Sequence, residues 1–213
     1  MESTKQVPKD PQKVERILTN SLKVFADKRY QRTKVDQIAE MAKVSKGIIF
    51  RYYDSKFGLY KSTLQFAVDN IMRYADLSVW KDSHDLTEMI VRATKYKMQL
   101  QIKFPDEFKI LLDAYSDVND FNDENRESVH QVVGVNLNQA MELSGPVLDR
   151  LDIRDDVDMK VVQGMFNAIM LQIGEETKAY MEQHPDGDLS QMTDIIEHAK
   201  GYMGIFERGI SSK

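Results

Sequence analysis

The sequence predicts an all-α protein, on three observations. Apolar residues recur at steps of three and four along nearly all of the 213 residues. No stretch of useful length alternates with the two-residue period of a strand. Capping and stopping residues fall between the periodic segments, dividing them into about nine helices.

The first segment, 11–28, carries Val14, Ile17, Leu18, Leu22 and Phe25 on one stripe, with Asp10 suited to the N-cap and Pro11 to the first helical position. A short helix follows Thr33, with Asp36 three residues on as in a capping box and Val35, Ile38, Ala39 and Ala42 on its core side. Ser45 opens a third helix that runs through Tyr53. Asp54-Ser55 breaks the pattern, and a long helix follows from Lys56 to Trp80.

Segment 84–103 is apolar at Leu86, Met89, Ile90, Ala93 and Leu100. Pro105 followed by Asp106 and Glu107 starts a helix with Phe108, Leu111, Leu112 and Tyr115 on its buried side. A helix from Asn122 to Leu143 uses Val129, Val132, Val133, Leu137, Ala140 and Met141, and Gly145-Pro146 stops it. Segment 156–183 has two apolar stripes: Val157, Val161, Gly164, Ala168 and Leu171 on one, Met159, Val162, Phe166, Ile169 and Ile173 on the other. Segment 189–210 repeats Leu189, Met192, Ile196, Ala199, Met203, Phe206 and Ile210 at alternating steps of three and four, a helix–helix seam. These last two helices predict a homodimer interface with Met165, Ile169, Met192, Ile196, Ala199, Met203 and Phe206 in it. Packing of the same stripes inside one subunit is the alternative.

Composition narrows the chemistry. Apolar residues make up 42% of the chain, enough for a packed core. The absence of Cys excludes disulfide scaffolds, thiolate zinc sites, Fe–S ligation and Cys nucleophiles. No apolar leader is visible at residues 1–11, and no run approaches the ~18 apolar residues of a membrane span, so a soluble cytoplasmic protein without membrane contact is expected. Charge is unevenly shared. Residues 1–62 hold 14 Lys or Arg against 7 Asp or Glu, a net of +7, and residues 63–213 hold 15 against 27, a net of −12. A basic head on an acidic body points the head toward an anionic partner.

The informative stretch is Thr33 to Leu59, TKVDQIAEMAKVSKGIIFRYYDSKFGL. It reads as two short helices joined by a tight turn, with Ile38, Ala39, Val44, Ile49 and Tyr53 as the small core between them. At 100° per residue, inward Ile49 and Tyr53 leave Gly47 and Arg51 pointing most directly outward, flanked by Ile48 and Phe50, with Lys46 and Tyr52 nearer the edges. Two apolar groups, a Gly, a cation and a Tyr make an odd solvent face and a suitable DNA-groove face. Gly47 lets backbones approach, and Arg51 can reach a base edge or phosphate. Ile48 or Phe50 can meet thymine methyls, while Ser45 and the helix N-terminus offer donors to phosphate. Lys56 can reach the DNA backbone from the next helix.

This stretch resembles the DNA-binding domain of the tetracycline-repressor (TetR) family, whose pattern is roughly T-x-x-x-x-I-A-x-x-A-G-V-S-x-G-x-[LI]-Y-x-[YH]-F-x-[ST]-K-E-x-L. The chain matches it at Thr33, Ile38, Ala39, Ala42, Val44, Ser45, Gly47, Ile49, Tyr52, Ser55, Lys56 and Leu59. It departs from it at Lys43 for the turn Gly, Phe50 for Tyr, Tyr53 for Phe and Phe57 for Glu. A non-Gly residue at position 43 would be strained if the turn needs φ > 0. Phe50 lacks a hydroxyl that could bind phosphate, and Tyr53 adds one at a core position.

The resemblance implies a helix-turn-helix DNA-binding domain at residues 1–55 and an effector-binding and dimerisation domain at 56–213. It implies a DNA-contact set of Thr33, Lys34, Ser45, Lys46, Gly47, Ile48, Phe50, Arg51, Tyr52 and Lys56. It further implies a homodimer on a palindromic double-stranded operator, recognition helices ~34–36 Å apart in successive major grooves, and release by a small molecule in the body, most often to relieve repression. Tyr96, Leu112, Tyr115, His130 and Asn167 are candidates to orient that effector. The acidic body favours an apolar or cationic one.

No phosphate loop, dinucleotide Gly pattern or His-Glu-x-x-His is present. A lone Glu127-x-x-His130 lacks the second copy that a di-iron bundle needs. No enzyme activity, cofactor or metal is expected. Two readings remain beside the repressor: a DNA-binding relative governed by a protein partner, and a helical interaction module or enzyme without DNA binding.

Overall fold

The computed structural model describes residues 9–134, 137–184 and 189–211. Among them, eleven α-helices and two 3₁₀ turns form, and the only extended pairing is an isolated antiparallel bridge between Ile153 and Ser211. No helix among the described residues is long and apolar enough to cross a membrane.

The head comprises α1 (Pro11–Arg32), α2 (Val35–Met41) and α3 (Lys46–Tyr53). Asp10 caps α1, its carboxylate accepting from the backbone N–H groups of Gln12 and Lys13. Near its other end α1 kinks at Arg29, which sits at φ 58°, ψ 172°. Thr33 holds that kink, its hydroxyl donating to the Arg29 carbonyl at 2.7 Å. Helix α4 (Lys56–Tyr74) follows after a two-residue break, capped by Ser55.

The body adds α5 (Ser78–Lys81), α6 (Leu86–Lys103), α7 (Pro105–Ser116), α8 (Asp123–Val133), α9 (Leu137–Leu148), α10 (Met159–Gln183) and α11 (Thr193–Ile210). Short 3₁₀ turns at Asp117–Asp120 and Leu189–Gln191 join α7 to α8 and precede α11.

Three boundaries differ from the sequence reading. The long helix expected to reach Trp80 ends at Tyr74, because the Asp76 side chain accepts the Ser78 N–H and its own N–H is taken by the Tyr96 hydroxyl. Such local bonds compete with the helix ladder. The helix expected over 122–143 is two, α8 and α9. Gly134 closes α8, and the Tyr115 hydroxyl donates to the terminal carbonyl of Val133. Pro146 lies inside α9 instead of stopping it. The proline forfeits the ladder bond its own N–H would make, and buried Val147 and Leu148 hold the turn against the core.

Two apolar cores result. The first joins Ile17 and Phe25 of α1, Ile38 of α2, Ile49 of α3, Leu59, Tyr60 and Leu64 of α4, Ile110 and Ala114 of α7, Phe121, and Val129 of α8. It is continuous across position 55, so the head is packed on the body through α1 and α4. The second joins Leu86 and Met89 of α6, Val147 and Leu148 of α9, Val162 and Phe166 of α10, and Met203, Phe206 and Ile210 of α11.

Candidate nucleic-acid face and ligand cavity

The α2–α3 turn is tight, with the Val44 N–H donating to the Ala39 carbonyl at 3.0 Å. Lys43 takes φ 55°, the left-handed conformation that favours Gly. Ser45 caps α3 by accepting the Ile48 N–H. Ile49 and Tyr53 are buried, and burial pushes the Tyr53 hydroxyl up to about 12.

The opposite face of α3 is open. Ser45, Lys46, Gly47, Phe50 and Arg51 are exposed, and Ile48 is half-buried against the first core. A Cβ at Gly47 would meet only the Ser45 Oγ at 3.9 Å, so nothing within the chain requires glycine there. Lys46 Nζ pairs with Asp36 of α2 at 2.8 Å, which holds the Asp36 carboxyl below its usual value. Both partners face solvent, and an ammonium so placed can exchange its carboxylate for a phosphate. Lys34 is exposed beside the start of α2.

The rest of the expected contact set has work inside the head. Thr33 is buried and bonded to α1. Tyr52 is buried rather than at an open edge, and its hydroxyl accepts the Asp10 N–H at 3.1 Å, tying α3 to the start of α1. Lys56 is half-buried, with Nζ 4.5 Å over the Tyr30 ring and a bond to the Gln31 carbonyl. Desolvation holds its ammonium below the usual lysine value.

In the body, a cavity of about 500 Å³ lies between the two cores. Its wall is apolar: Val68, Ile71 and Met72 of α4, Trp80 of α5, Met89, Ile90 and Ala93 of α6, Phe108, Leu111 and Leu112 of α7, Phe166 and Met170 of α10, and Ile195, Ile196 and Ala199 of α11. Among the described lining residues one side chain is charged, Lys97 of α6. Neighbouring protein atoms desolvate it and lower its ammonium below the ordinary lysine value. It nevertheless keeps accessible surface, which opens on the cavity it lines.

Of the five residues expected to meet an effector, Leu112 and Tyr115 line the cavity. Tyr96 stands behind Trp80, ring against ring at 5.5 Å. His130 and Asn167 are half-buried outside the lining. Lys97 was missed, although the sequence carried a trace of it. The α6 stripe runs Leu86, Met89, Ile90, Ala93, Leu100, and position 97 is the place where that stripe has a lysine. Of the apolar or cationic effector expected from the acidic body, a cationic one would meet a like charge here.

The dimer set also differs from expectation. Met192, Ala199, Met203 and Phe206 are buried in the chain's own interior, Ile196 lines the cavity and Ile169 packs on the second core. The regular seam of α11 is therefore the inner face of the subunit. The most exposed large apolar residues of these two helices are Val161, Met165 and Leu171 of α10 and Ile205 of α11, each about half or more exposed. Of the expected set only Met165 is among them.

A further cluster joins head to body. The Arg29 guanidinium lies 3.5 Å from Asp113 and 3.3 Å from Asp117, and Lys109 also pairs with Asp113 at 2.9 Å. Burial holds the Asp117 carboxyl above its usual value, and Arg29 opposes the rise. No group of three or more His, Asp or Glu among the described residues converges as a metal site.

Comparison with known proteins agrees with this geometry. Residues 17–63 match the family model of bacterial regulatory proteins of the tetR family. The chain is 34% identical over 67 residues to the helix-turn-helix transcriptional activator FasR of Mycolicibacterium smegmatis, covering 32% of this chain and 30% of that one. It is 38% identical over 72 residues to the helix-turn-helix regulator HbdR of an Aromatoleum strain, covering 32% and 31%. The matches thus span under a third of either relative. Whole-chain likeness is structural. A TetR-family regulator from Cytophaga hutchinsonii aligns over 100% of both chains at a TM-score of 0.62 and 15% identity. FadR of Bacillus subtilis, solved with stearoyl-CoA, aligns over 92% of this chain and 99% of its own at 0.53 and 16%.

Proposed function

We propose that this chain, a transcriptional regulator of the TetR family, is a repressor that binds a palindromic operator as a homodimer and leaves it when a small molecule occupies the body cavity. The observation that carries the reading is the outer face of α3. It keeps Ser45, Lys46, Gly47, Phe50 and Arg51 exposed around a glycine that the fold itself does not need. In a major groove, Arg51 would read base edges, Phe50 and Ile48 would meet methyl groups, and Lys46, Lys34 and the Ser45 end of the helix would hold phosphates. Thr33, Tyr52 and Lys56 would act one step back, by holding α1 and α4 against α3.

The second copy would cover the outer apolar residues of α10 and α11, Val161, Met165, Leu171 and Ile205, since the inner residues are already occupied. Large exposed apolar side chains aligned on neighbouring helices mark such contacts.

Release would run through α4 and α7. Helix α4 starts two residues after α3 and ends on the cavity wall, a rod of ~28 Å at 1.5 Å per residue. Helix α7 offers Leu111, Leu112 and Tyr115 to the cavity and Asp113 to Arg29 of α1. A ligand that fits better when these helices shift favours the heads-misplaced state, and each tenfold loss of DNA affinity requires ~1.4 kcal/mol of that preference. The apolar cavity supports a largely apolar effector, as does the stearoyl-CoA held by the similarly folded FadR.

The test is fluorescence anisotropy of purified protein on DNA from upstream of its own gene, at two salt concentrations, against a scrambled duplex. Site-selective, salt-sensitive binding at two subunits per site is expected. Equal weak binding to both duplexes, with no site recovered from a random pool, would remove the operator reading. Transcription in vitro from the bound promoter reads the sign, which matters because FasR is an activator.

A further inference from the structure

The cavity combines two features that pull in opposite directions. Its wall is almost wholly apolar, and one ammonium, Lys97, opens into it. Lys97 makes no ion pair or hydrogen bond with the described residues, and no carboxylate is among the described residues lining the cavity. The cavity's other polar groups are partly spoken for: the Tyr115 hydroxyl donates to the Val133 carbonyl and the Thr177 hydroxyl to the Ile173 carbonyl at 2.8 Å.

We infer that the effector is an amphipathic anion, an apolar chain or ring ending in a single anionic group such as a carboxylate, and that Lys97 pairs with that group. The inference rests on the ligand-release reading above and goes beyond it by naming the ligand's chemistry. An ammonium set in an apolar wall with no carboxylate beside it gains from an anionic partner, and a carboxylate taken out of water alone is costly. Bringing the two together relieves both costs at once. A neutral ligand would leave Lys97 uncompensated, and a cationic one would set like charges in a poorly screened space. One cation with no second beside it suits one negative charge, and the apolar wall takes the remainder of the molecule. A cavity of about 500 Å³ lies within the ~300–1,000 Å³ range of small-molecule sites. The acidic body does not outweigh the pairing, because exposed charges beyond ~8–10 Å are largely screened at ordinary salt.

Trp80, the chain's single tryptophan, lines the same cavity and reports on its contents directly. The experiment titrates the full-length protein with dodecanoate, dodecan-1-ol and dodecylammonium below their micellar concentrations, following Trp80 fluorescence. It is repeated on Lys97→Met and Lys97→Arg, with operator release followed in parallel by anisotropy. Lys97→Met removes the cavity's charge at similar volume, and its thermal melt confirms folding. Dodecanoate should bind wild type at least tenfold tighter than dodecanol, with dodecylammonium weakest. Lys97→Met should bind acid and alcohol alike, and Lys97→Arg should keep the preference. Equal affinity of acid and alcohol in wild type, or a preference that survives in Lys97→Met, overturns the assignment. If either ligand still releases operator DNA in that case, the release reading stands alone. If dodecanoate binds through Lys97 but leaves DNA bound, the assignment stands and the release reading falls. If none of the three probes alters Trp80, the assignment falls, and the release reading is then decided by the operator anisotropy alone.

Discussion

Arg29 lies 3.5 Å from Asp113, and this ion pair joins the kinked end of α1 to the helix whose other side walls the cavity. Asp113 is almost fully buried and Asp117 shares the same guanidinium. Removing one member of a buried pair strands the other, at ~3–5 kcal/mol. Arg29→Met should therefore lower stability by about 3 kcal/mol, or ~6–12 °C in Tm for a chain of this size. At a temperature where the variant is folded, ligand should release its DNA less completely than it releases wild type. Unchanged stability and unchanged release would show that the pair is incidental.

Gly58, in the first turn of α4, is required by a close approach. A Cβ there would stand 2.0 Å from the Tyr53 carbonyl oxygen, which is backbone and cannot swing away. Gly58→Ala should cost about 3 kcal/mol in urea unfolding and displace the end of α3, weakening operator binding. Gly47→Ala meets only ordinary contact and should leave stability within ~0.5 kcal/mol while weakening DNA binding.

Lys43 holds φ 55° in the α2–α3 turn, a conformation that costs an L-residue ~1–2 kcal/mol. Glycine removes that strain and adds back part of it as unfolded-chain entropy, ~0.5–1 kcal/mol. Lys43→Gly should raise stability by about 0.5–1 kcal/mol in chemical unfolding. A loss instead would mean that the Lys43 side chain contributes more than its backbone strain costs.

On the proposed DNA face, Arg51→Ala should lower discrimination between operator and scrambled DNA by ~1–3 kcal/mol. Asp36→Asn frees Lys46 from its carboxylate and should strengthen binding to both duplexes, steepening the salt dependence. If Arg51→Ala leaves affinity and preference untouched, α3 does not enter the groove in the proposed orientation.

Leu171→Glu and Ile205→Glu place charge on the outer faces of α10 and α11, and light scattering should then report monomers where wild type is a dimer. The monomers should still unfold cooperatively, because neither side chain enters a core of the subunit. Dimers persisting in both variants would move the interface elsewhere.

Much of the fold was legible in the sequence because helices advertise themselves locally. Asp10-Pro11, Ser45 and Pro105 start helices where the structure starts them, and the stripes of α1 and α3 bury Ile17, Phe25, Ile49 and Tyr53 as their spacing required. The family resemblance, which puts Gly at position 43, raised a positive φ there only as a condition, and the structure has it at Lys43. Periodicity could not tell which partner a stripe meets. The α11 seam at Met192, Ala199, Met203 and Phe206 has the spacing of a subunit contact, but its partners are the chain's own α6 and α10, because a helix face carries the same pattern whether it packs within one chain or between two. Nor could it reveal Lys97 in the cavity or Arg29 beside Asp113. Those positions depend on where α6, α7 and α1 cross, residues 29 and 113 being 84 apart in sequence. By itself the sequence determined the helical class and the exposure of Lys46, Gly47, Phe50 and Arg51 on α3, though not the burial of Tyr52, since exposure on one short helix follows from its own period. The tertiary structure decided which apolar faces are spent inside the subunit, where the cavity opens and which charge stands in it, since these follow from long-range packing that no local spacing encodes.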